Sequence, residues 1–177
     1  MSITTLDDLL TRMDPLRVIA QLDFRRSEVM DDLARLVALR LRRHSAGIGL
    51  YQATTVHLIG GFAVQAGPIN RFLTSADLQL EVIDYYDIAR QRPDHRLNPV
   101  DGSKVASAIL VPLRIAGTPI GAFYVSDDRV RNPITPEERA FVLAAANVCV
   151  RQIERRARVK LNLINIADLA TERLARI

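Results

Sequence analysis

The stretch SAILVPLRIAGTPIGAFYVSDDRVRNPITPEERAFVLAAANVCVRQIE, residues 107–154, decides the fold. With the KVA that precedes it, it opens on a nearly unbroken apolar run over residues 104–115, which predicts a strand buried on both faces. The residues AGT predict a tight turn, and PIGAFYVSDD predicts a strand returning antiparallel to the first. Thr135, Pro136 and Glu138 form a capping-box pattern that predicts a helix start. We expect this helix to continue through RQIERRARVK to the end of the chain.

Side chains on the strand over residues 104–115 alternate between two faces of the predicted sheet. One face is expected to pack against helices, and the other to line a pocket. The first side carries Val105, Ser107, Ile109, Val111 and Leu113, and the second carries Ala106, Ala108, Leu110 and Pro112.

Upstream, SEVMDDLARLVALRLRRHS predicts an amphipathic helix with Ser27 as its N-cap. Before it, a helix, a break at Asp14-Pro15 and a second short helix are expected. The apolar residues at helical spacing, which we expect to form the buried face of the amphipathic helix, are Val29, Leu33, Leu36, Val37 and Leu41.

AGIGLYQATTVHLIGGFAV lacks a helical stripe and predicts a hairpin. Its strands are expected from Ile48 to Gln52 and from Val56 to Ile59 or beyond, with a turn near residues 53–55. AGPINRFLTSADLQ is expected to be a loop with a short helix, and LEVIDYYD a short strand. The predicted fold class is therefore α+β: a central antiparallel sheet flanked by helices, with long terminal helices.

The stretch DYYDIARQRPDHRLNPVDG, residues 84–102, is unusually rich in polar groups. Its charged side chains suit an anionic or mixed-charge ligand. Its tyrosines could line the pocket with an apolar ring that ends in a polar hydroxyl. In the structural alternative, Asp87 caps a turn, the arginines face water and one tyrosine packs in the core. The candidate ligand-binding residues are Tyr85, Tyr86, Asp87, Arg90, His95, Arg96 and Ser107, with Arg92 as a further cation nearby.

Composition limits the classes of function. The chain has 177 residues, a hydrophobic content of 49%, a formal net charge of +4 and one cysteine. No apolar run reaches the roughly 20 residues of a membrane span, and the N-terminus lacks a secretory pattern, so a cytoplasmic protein is expected. The basic residues are mixed with acids and not interleaved with aromatics, which argues against nucleic acid as a partner. The three histidines lack ligand spacing, so no metal site is expected.

Residues 107–154 resemble the C-terminal half of a GAF domain, with its Val-Pro-Leu strand, short turn, Ile-Gly-apolar-aromatic-Val strand and Thr-Pro-Glu-Glu helix start. DIARQRPDHRLNPV also resembles a stretch typical of the family. The resemblance covers about residues 25–157, with helical extensions expected over 1–24 and 158–177. It implies a fold similar to PAS domains, with a small-molecule pocket on one side of the sheet and pairing through terminal helices.

The resemblance also bears on catalysis. Free methionine sulfoxide reductases of this fold need several cysteines, whereas Cys149 stands alone in an apolar helical run. No nucleophile with a neighbouring base, bilin-attachment cysteine or cyclic-nucleotide pattern is present, and no cofactor is identified. The sequence therefore predicts a non-enzymatic sensory module of signal transduction. The alternatives are an interaction module without a ligand and an enzyme on the GAF scaffold.

The C-terminal helix carries an apolar seam with spacings of three, four, four and three residues, close to a heptad pattern. Beyond Arg156 the GAF core is complete, so the seam is expected to need a partner, although it can instead pack on its own domain. We expect a parallel homodimer acting on a downstream signalling protein or output domain. The seam residues are Val150, Ile153, Ala157, Leu161 and Ile164.

Overall fold

The computed structural model describes residues 15–52, 55–64, 68–70, 79–91 and 105–174. Residues Phe24–Cys149 form one compact unit, and the described parts of the two terminal segments form another. The helices are α1 (Pro15–Ala20), α2 (Glu28–Arg40), α3 (Ile88–Gln91) and α4 (Pro136–Leu174). The strands are β1 (Ser45–Gln52), β2 (Thr55–Phe62), β3 (Pro68–Asn70), β4 (Ile83–Tyr85), β5 (Ser107–Ile115) and β6 (Thr118–Asp127).

The described strands form one antiparallel sheet in the order β3-β2-β1-β6-β5-β4. This confirms the predicted α+β class. Strand β5 lies between β6 and β4, and every residue of it except Arg114 is buried. A strand covered on both faces must be apolar along its whole length, which explains its unbroken hydrophobic run.

Two hairpins follow the predicted pattern. Strands β5 and β6 are joined by Ala116 and Gly117, whose φ angles are 47° and 81°. Two successive positive φ values suit the right-handed twist of a two-residue hairpin. Strands β1 and β2 pair as predicted, although residues 53–54 of their turn lie outside the described residues.

Two predictions at the edges of the sheet have different outcomes. Residues 83–85 form the expected short strand β4. In the stretch over residues 66–79, predicted as loop and short helix, Pro68–Asn70 instead forms strand β3 against β2. Most of the rest of that stretch lies outside the described residues.

The buried face of α2 differs from the predicted one. Helix α2 follows Ser27 as expected, although the Ser27 side chain makes no capping hydrogen bond. Of the predicted face only Val37 and Leu41 are buried, whereas Leu33 is half-buried and Val29 and Leu36 are 59% and 57% exposed. The helix instead buries Met30, Ala34, Val37 and Ala38.

The physical reason lies on β2. A Cβ built on Gly60 would overlap the Cβ of Met30 and lie 2.8 Å from its carbonyl oxygen. The helix backbone therefore lies directly on the strand. Ala34 and Ala38 permit this close approach, whereas leucines on that face would hold the helix away.

Helix α4 begins as predicted. The Thr135 hydroxyl accepts a hydrogen bond from the Glu138 N–H at 3.2 Å, and the Glu138 carboxylate accepts one from the Thr135 N–H at 2.9 Å. Helix α1 likewise begins at Pro15, while the first predicted helix lies outside the described residues.

Candidate ligand-binding face

The sheet has one face that packs on helix α2 and a second face, which we call the tyrosine face. Strand register brings its members together: Ile83 pairs with Leu110, and Tyr85 pairs with Ala108. Tyr51, Val64 and Val105 pack against it and are partly buried. The buried residues of the tyrosine face are Val56, Leu58, Ile83, Tyr85, Ile88, Ala108, Leu110, Ala122 and Tyr124.

Glycine on β1 leaves room for an aromatic ring on this face. A Cβ built on Gly47 would stand 2.6 Å from the Cε1 atom of Tyr124, so any larger residue at position 47 would displace the ring. Tyr124 and Gly47 face each other across β1 and β6. The ring of Tyr124 therefore occupies space that the glycine leaves open.

The described part of the polar stretch that follows β4, residues 86–91, is largely engaged in local structure. The Asp87 carboxylate accepts a hydrogen bond from the Arg90 N–H at 3.2 Å, and the Asp87 N–H donates to the Gln91 side chain at 2.9 Å. Asp87 is thus the cap of α3. Tyr85 is buried on the tyrosine face, and Arg90 is exposed. Among the described residues, Asp87, Tyr85 and Arg90 therefore take the positions that the structural alternative expected.

Of the remaining predicted residues, the structure describes Tyr86 and Ser107. Tyr86 is half-buried, and its carbonyl accepts a hydrogen bond from the Arg131 N–H at 2.9 Å. Arg92, His95 and Arg96 lie outside the described residues. Ser107 and Ala108 are consecutive on β5, so their side chains lie on opposite faces of the sheet. Because Ala108 pairs with Tyr85, Ser107 lies on the face opposite the tyrosine face.

The Ser107 hydroxyl is fully engaged. It accepts a hydrogen bond from Arg43 at 3.1 Å and donates one to the Arg129 carbonyl at 2.7 Å. The side chain is buried. Its position supports a structural role, because it joins the residues before β1 to the loop after β6.

Sequence reasoning missed an ion-pair network at this end of the sheet. The buried Asp127 carboxylate accepts hydrogen bonds from the Arg131 guanidinium and, at 3.0 Å, from the Arg129 N–H. Arg131 also donates to the Arg42 carbonyl at 2.9 Å. The SDDRVR segment shows charged residues directly after a buried strand, and this was the available signal.

Electrostatics in this network follow from burial and pairing. Burial acts to raise the pKa of Asp127, but hydrogen bonds from Arg131 and the Arg129 N–H leave that pKa below its ordinary value. The pKa of Arg43 is lowered by burial and then by the charge of Arg131. The lowered pKa of Asp127 reflects its favourable pairing, whereas the lowered pKa of Arg43 reflects the cost of burying one cation beside another.

A second carboxylate joins β4 to the segment before α4. The Asp84 Oδ2 atom accepts a hydrogen bond from the Ile134 N–H at 2.8 Å, and the Asp84 carbonyl accepts one from Gln91 at 3.2 Å. Its Oδ1 atom is buried and has no hydrogen-bond partner in the part of the chain that the structure describes. Burial raises the pKa of Asp84, and the Ile134 hydrogen bond acts in the opposite direction.

The predicted seam of α4 is mostly covered within the chain. Ile153, Ala157 and Leu161 are buried, Val150 is half-buried and Ile164 is exposed. In the same terminal unit, Arg156 forms an ion pair with Asp23 at 2.7 Å. A second copy is therefore not needed to cover those three residues. The homodimer itself stays a prediction.

Comparisons with solved structures decide the fold. The GAF domain of an Acinetobacter phosphoenolpyruvate-protein phosphotransferase has a TM-score of 0.63 and 14% identity, covering 90% of this chain and 97% of its own. The blue-light-absorbing form of the Thermosynechococcus elongatus PixJ GAF domain has a TM-score of 0.63 and 13% identity, covering 89% and 97%. The chain has the GAF fold. No protein-family model and no curated protein matches the sequence.

The GAF fold confirms the predicted resemblance at the level of architecture, and it also corrects one prediction. The free methionine-R-sulfoxide reductase of Neisseria meningitidis, solved with its substrate, has a TM-score of 0.62 and 16% identity, covering 90% of this chain and 96% of its own. Enzymes therefore share this GAF fold. The prediction that the chain is not an enzyme was wrong, because this fold carries enzymes as well as sensory domains.

Within this GAF fold, Cys149 is fully buried on α4. Its thiol lies 3.6 Å from the Met30 sulfur, and burial raises the pKa of the thiol to about 12. A thiol that stays protonated is a poor nucleophile and a poor metal ligand. Among the described residues, no group of three metal-ligating side chains comes together, and no helix has the length and hydropathy of a membrane span.

Proposed function

We propose that the chain is a sensory or regulatory GAF module that binds a small molecule on the tyrosine face. The observation that carries the proposal is the composition of this face. Its described residues are apolar and include three tyrosines, Tyr51, Tyr85 and Tyr124. Sites of this kind bind ligands through apolar area, with a few polar groups fixing orientation.

The same observation indicates the ligand's chemistry. Asp87 already caps α3, Arg90 is exposed and Ser107 is engaged on the other side of β5. The contacts proposed for the ligand are therefore Tyr85 and Tyr124 and not the charged side chains. We expect a neutral ligand with an aromatic or other flat apolar body, which stacks well against tyrosine rings.

Binding is proposed to reach α4 through β4. Tyr85 is followed by the capped helix α3, whose Gln91 donates to the Asp84 carbonyl, and Asp84 in turn accepts from Ile134 next to the helix cap. A ligand that changes the position of Tyr85 would change the stability of the first turn of α4. The proposed recipient is an output domain or a downstream signalling protein, with the module acting as a homodimer.

A second candidate function rests on Tyr124. Because its ring already fills the space over Gly47, the tyrosine face also suits an interaction module whose pocket is filled by its own side chains.

One experiment separates the two candidates. Native mass spectrometry of the purified chain reports any retained molecule, and a thermal-shift screen with neutral aromatic compounds reports binding. Under the ligand proposal, Tyr124→Ala lowers the affinity for the bound compound at least about tenfold, as expected for loss of a stacking aromatic contact. The control, Arg90→Ala, leaves the affinity unchanged. Absence of a retained molecule together with no thermal shift from any compound would favour the interaction module.

A further inference from the structure

Helix α2 has an outer face that is unusual for a helix packed on one side. On most such helices the solvent side is polar, yet Val29, Leu36 and Leu39 are each more than half exposed here. We call the α2 outer face the set of exposed residues Glu28, Val29, Asp32, Arg35, Leu36, Leu39 and Arg40.

Charge on the α2 outer face is divided between the two halves of the helix. Its acids, Glu28 and Asp32, lie in the first half, and its bases, Arg35 and Arg40, lie in the second. Glu28 and Arg40 are separated by about 18 Å along the axis, at about 1.5 Å per residue. This separation leaves one end of the face negative and the other end positive.

Such a face is complementary to itself. When two copies of α2 lie antiparallel about a twofold axis near residue 34, the acidic half of each helix meets the basic half of the other. Asp32 then lies within reach of the partner's Arg35, and this pair occurs twice. Leu36 lies close to the axis and packs against the same region of the partner. A parallel arrangement would instead place like charges together.

We propose that two copies of this chain pair antiparallel through the α2 outer face. The inference rests on the homodimer of the proposed function. It assigns the dimer interface to the α2 outer face and not to the α4 seam, which is mostly covered within the chain. A second copy fits better than an unrelated protein, because the twofold rotation places opposite charges of the two faces together and apolar residues of the two faces together. A single helix pair is small for a stable interface, so the dimer is expected to depend on protein concentration.

A charge swap tests the pairing. In analytical ultracentrifugation of the full chain, Asp32→Arg and Arg35→Asp are each expected to weaken self-association at least about tenfold, because each variant opposes like charges at both symmetric sites. An equimolar mixture of the two variants should form a heterodimer, since every opposed pair is then of opposite sign. The double variant, Asp32→Arg with Arg35→Asp, should regain the homodimer. Raising the salt concentration should weaken the wild-type dimer.

Substitutions of two exposed leucines, one on the α2 outer face and one on α4, supply a matched control. Leu36→Glu should abolish pairing, whereas Leu163→Glu, at an equally exposed position on α4, should leave it unchanged. Circular dichroism melting of each variant confirms that the fold persists. The proposal is overturned when the wild type is monomeric at every concentration, when the swap restores nothing, or when Leu163→Glu dissociates the dimer and Leu36→Glu does not. Ligand retention by monomeric Asp32→Arg tests the proposed function separately.

Discussion

The carboxylate of Asp84 on β4 accepts a 2.8 Å hydrogen bond from the backbone N–H of Ile134, one residue before the cap of α4. Fifty residues of sequence separate the two groups, so only the folded sheet brings them together. The bond places an acid of raised pKa between the tyrosine face and the start of the longest helix.

Asp84→Asn and Asp84→Ala should separate the charge of this group from its hydrogen bond. The asparagine keeps an oxygen acceptor for Ile134, and the alanine removes it at a cost of about 1 kcal/mol in unfolding free energy. Because the folded pKa of Asp84 is raised, its contribution to stability is present below the unfolded pKa and is lost as pH rises through the folded pKa. In urea unfolding measured over a range of pH, the free energy of unfolding of the wild type should therefore decline as the pH rises. The decline should be smaller in Asp84→Asn. Identical pH profiles for the two proteins would contradict this assignment.

Asp127→Asn should act in the opposite pH direction. The folded pKa of Asp127 is lowered, so its contribution is present above the unfolded pKa and is lost as pH falls through the folded pKa. At neutral pH we expect a loss of about 2 kcal/mol, because a buried charge-assisted pair with Arg131 is broken. Asp128→Asn is the comparison and should change stability less, because the Asp128 side chain is exposed and acts on Asp127 only through one hydrogen bond. Equal effects of the two substitutions at neutral pH would refute the network.

Leu161→Ala and Leu163→Ala should differ in stability although both remove the same atoms from α4. Leu161 is 8% exposed and Leu163 is 63% exposed. We expect a loss of about 2–4 kcal/mol for Leu161→Ala, from lost burial and a cavity, and less than about 0.5 kcal/mol for Leu163→Ala. Thermal or urea unfolding at low protein concentration, where the chain is monomeric, makes the measurement. A large effect of Leu161→Ala that appears only at dimer-forming concentrations would return the seam to an intermolecular role.

Cys149 should resist alkylation in the native protein. Its thiol is buried and its pKa is raised to about 12, so almost none of it is thiolate at pH 8. Mass spectrometry after iodoacetamide treatment should show slow modification in the native state and rapid modification in urea. Cys149→Ala should keep the fold, with a loss of about 1 kcal/mol from the small cavity. Rapid native alkylation would show that the thiol reaches solvent and would reopen a role in chemistry.

The sequence was sufficient to predict those helix starts, turns and strands that are stabilised by residues close together along the chain. Thr135 and Glu138 lie three residues apart and cap each other, and Gly117 closes a turn between strands that adjoin it in sequence. Strand β5 is apolar throughout because it is covered on both faces. In each case the interacting groups are neighbours along the chain or share one burial pattern, so periodicity and turn chemistry predicted them.

Tertiary structure alone decided which helix faces are buried and which polar groups are engaged. Apolar spacing placed Val29 and Leu36 in the core, but the close approach of α2 to Gly60 on β2 selected Met30 and the small Ala34 instead. Ser107 looked available for a ligand until Arg43, sixty-four residues away, was placed at its hydroxyl. The reason is physical: burial depends on how closely two backbones approach, and hydrogen bonding depends on which distant groups arrive. Neither quantity is encoded in the spacing of one segment.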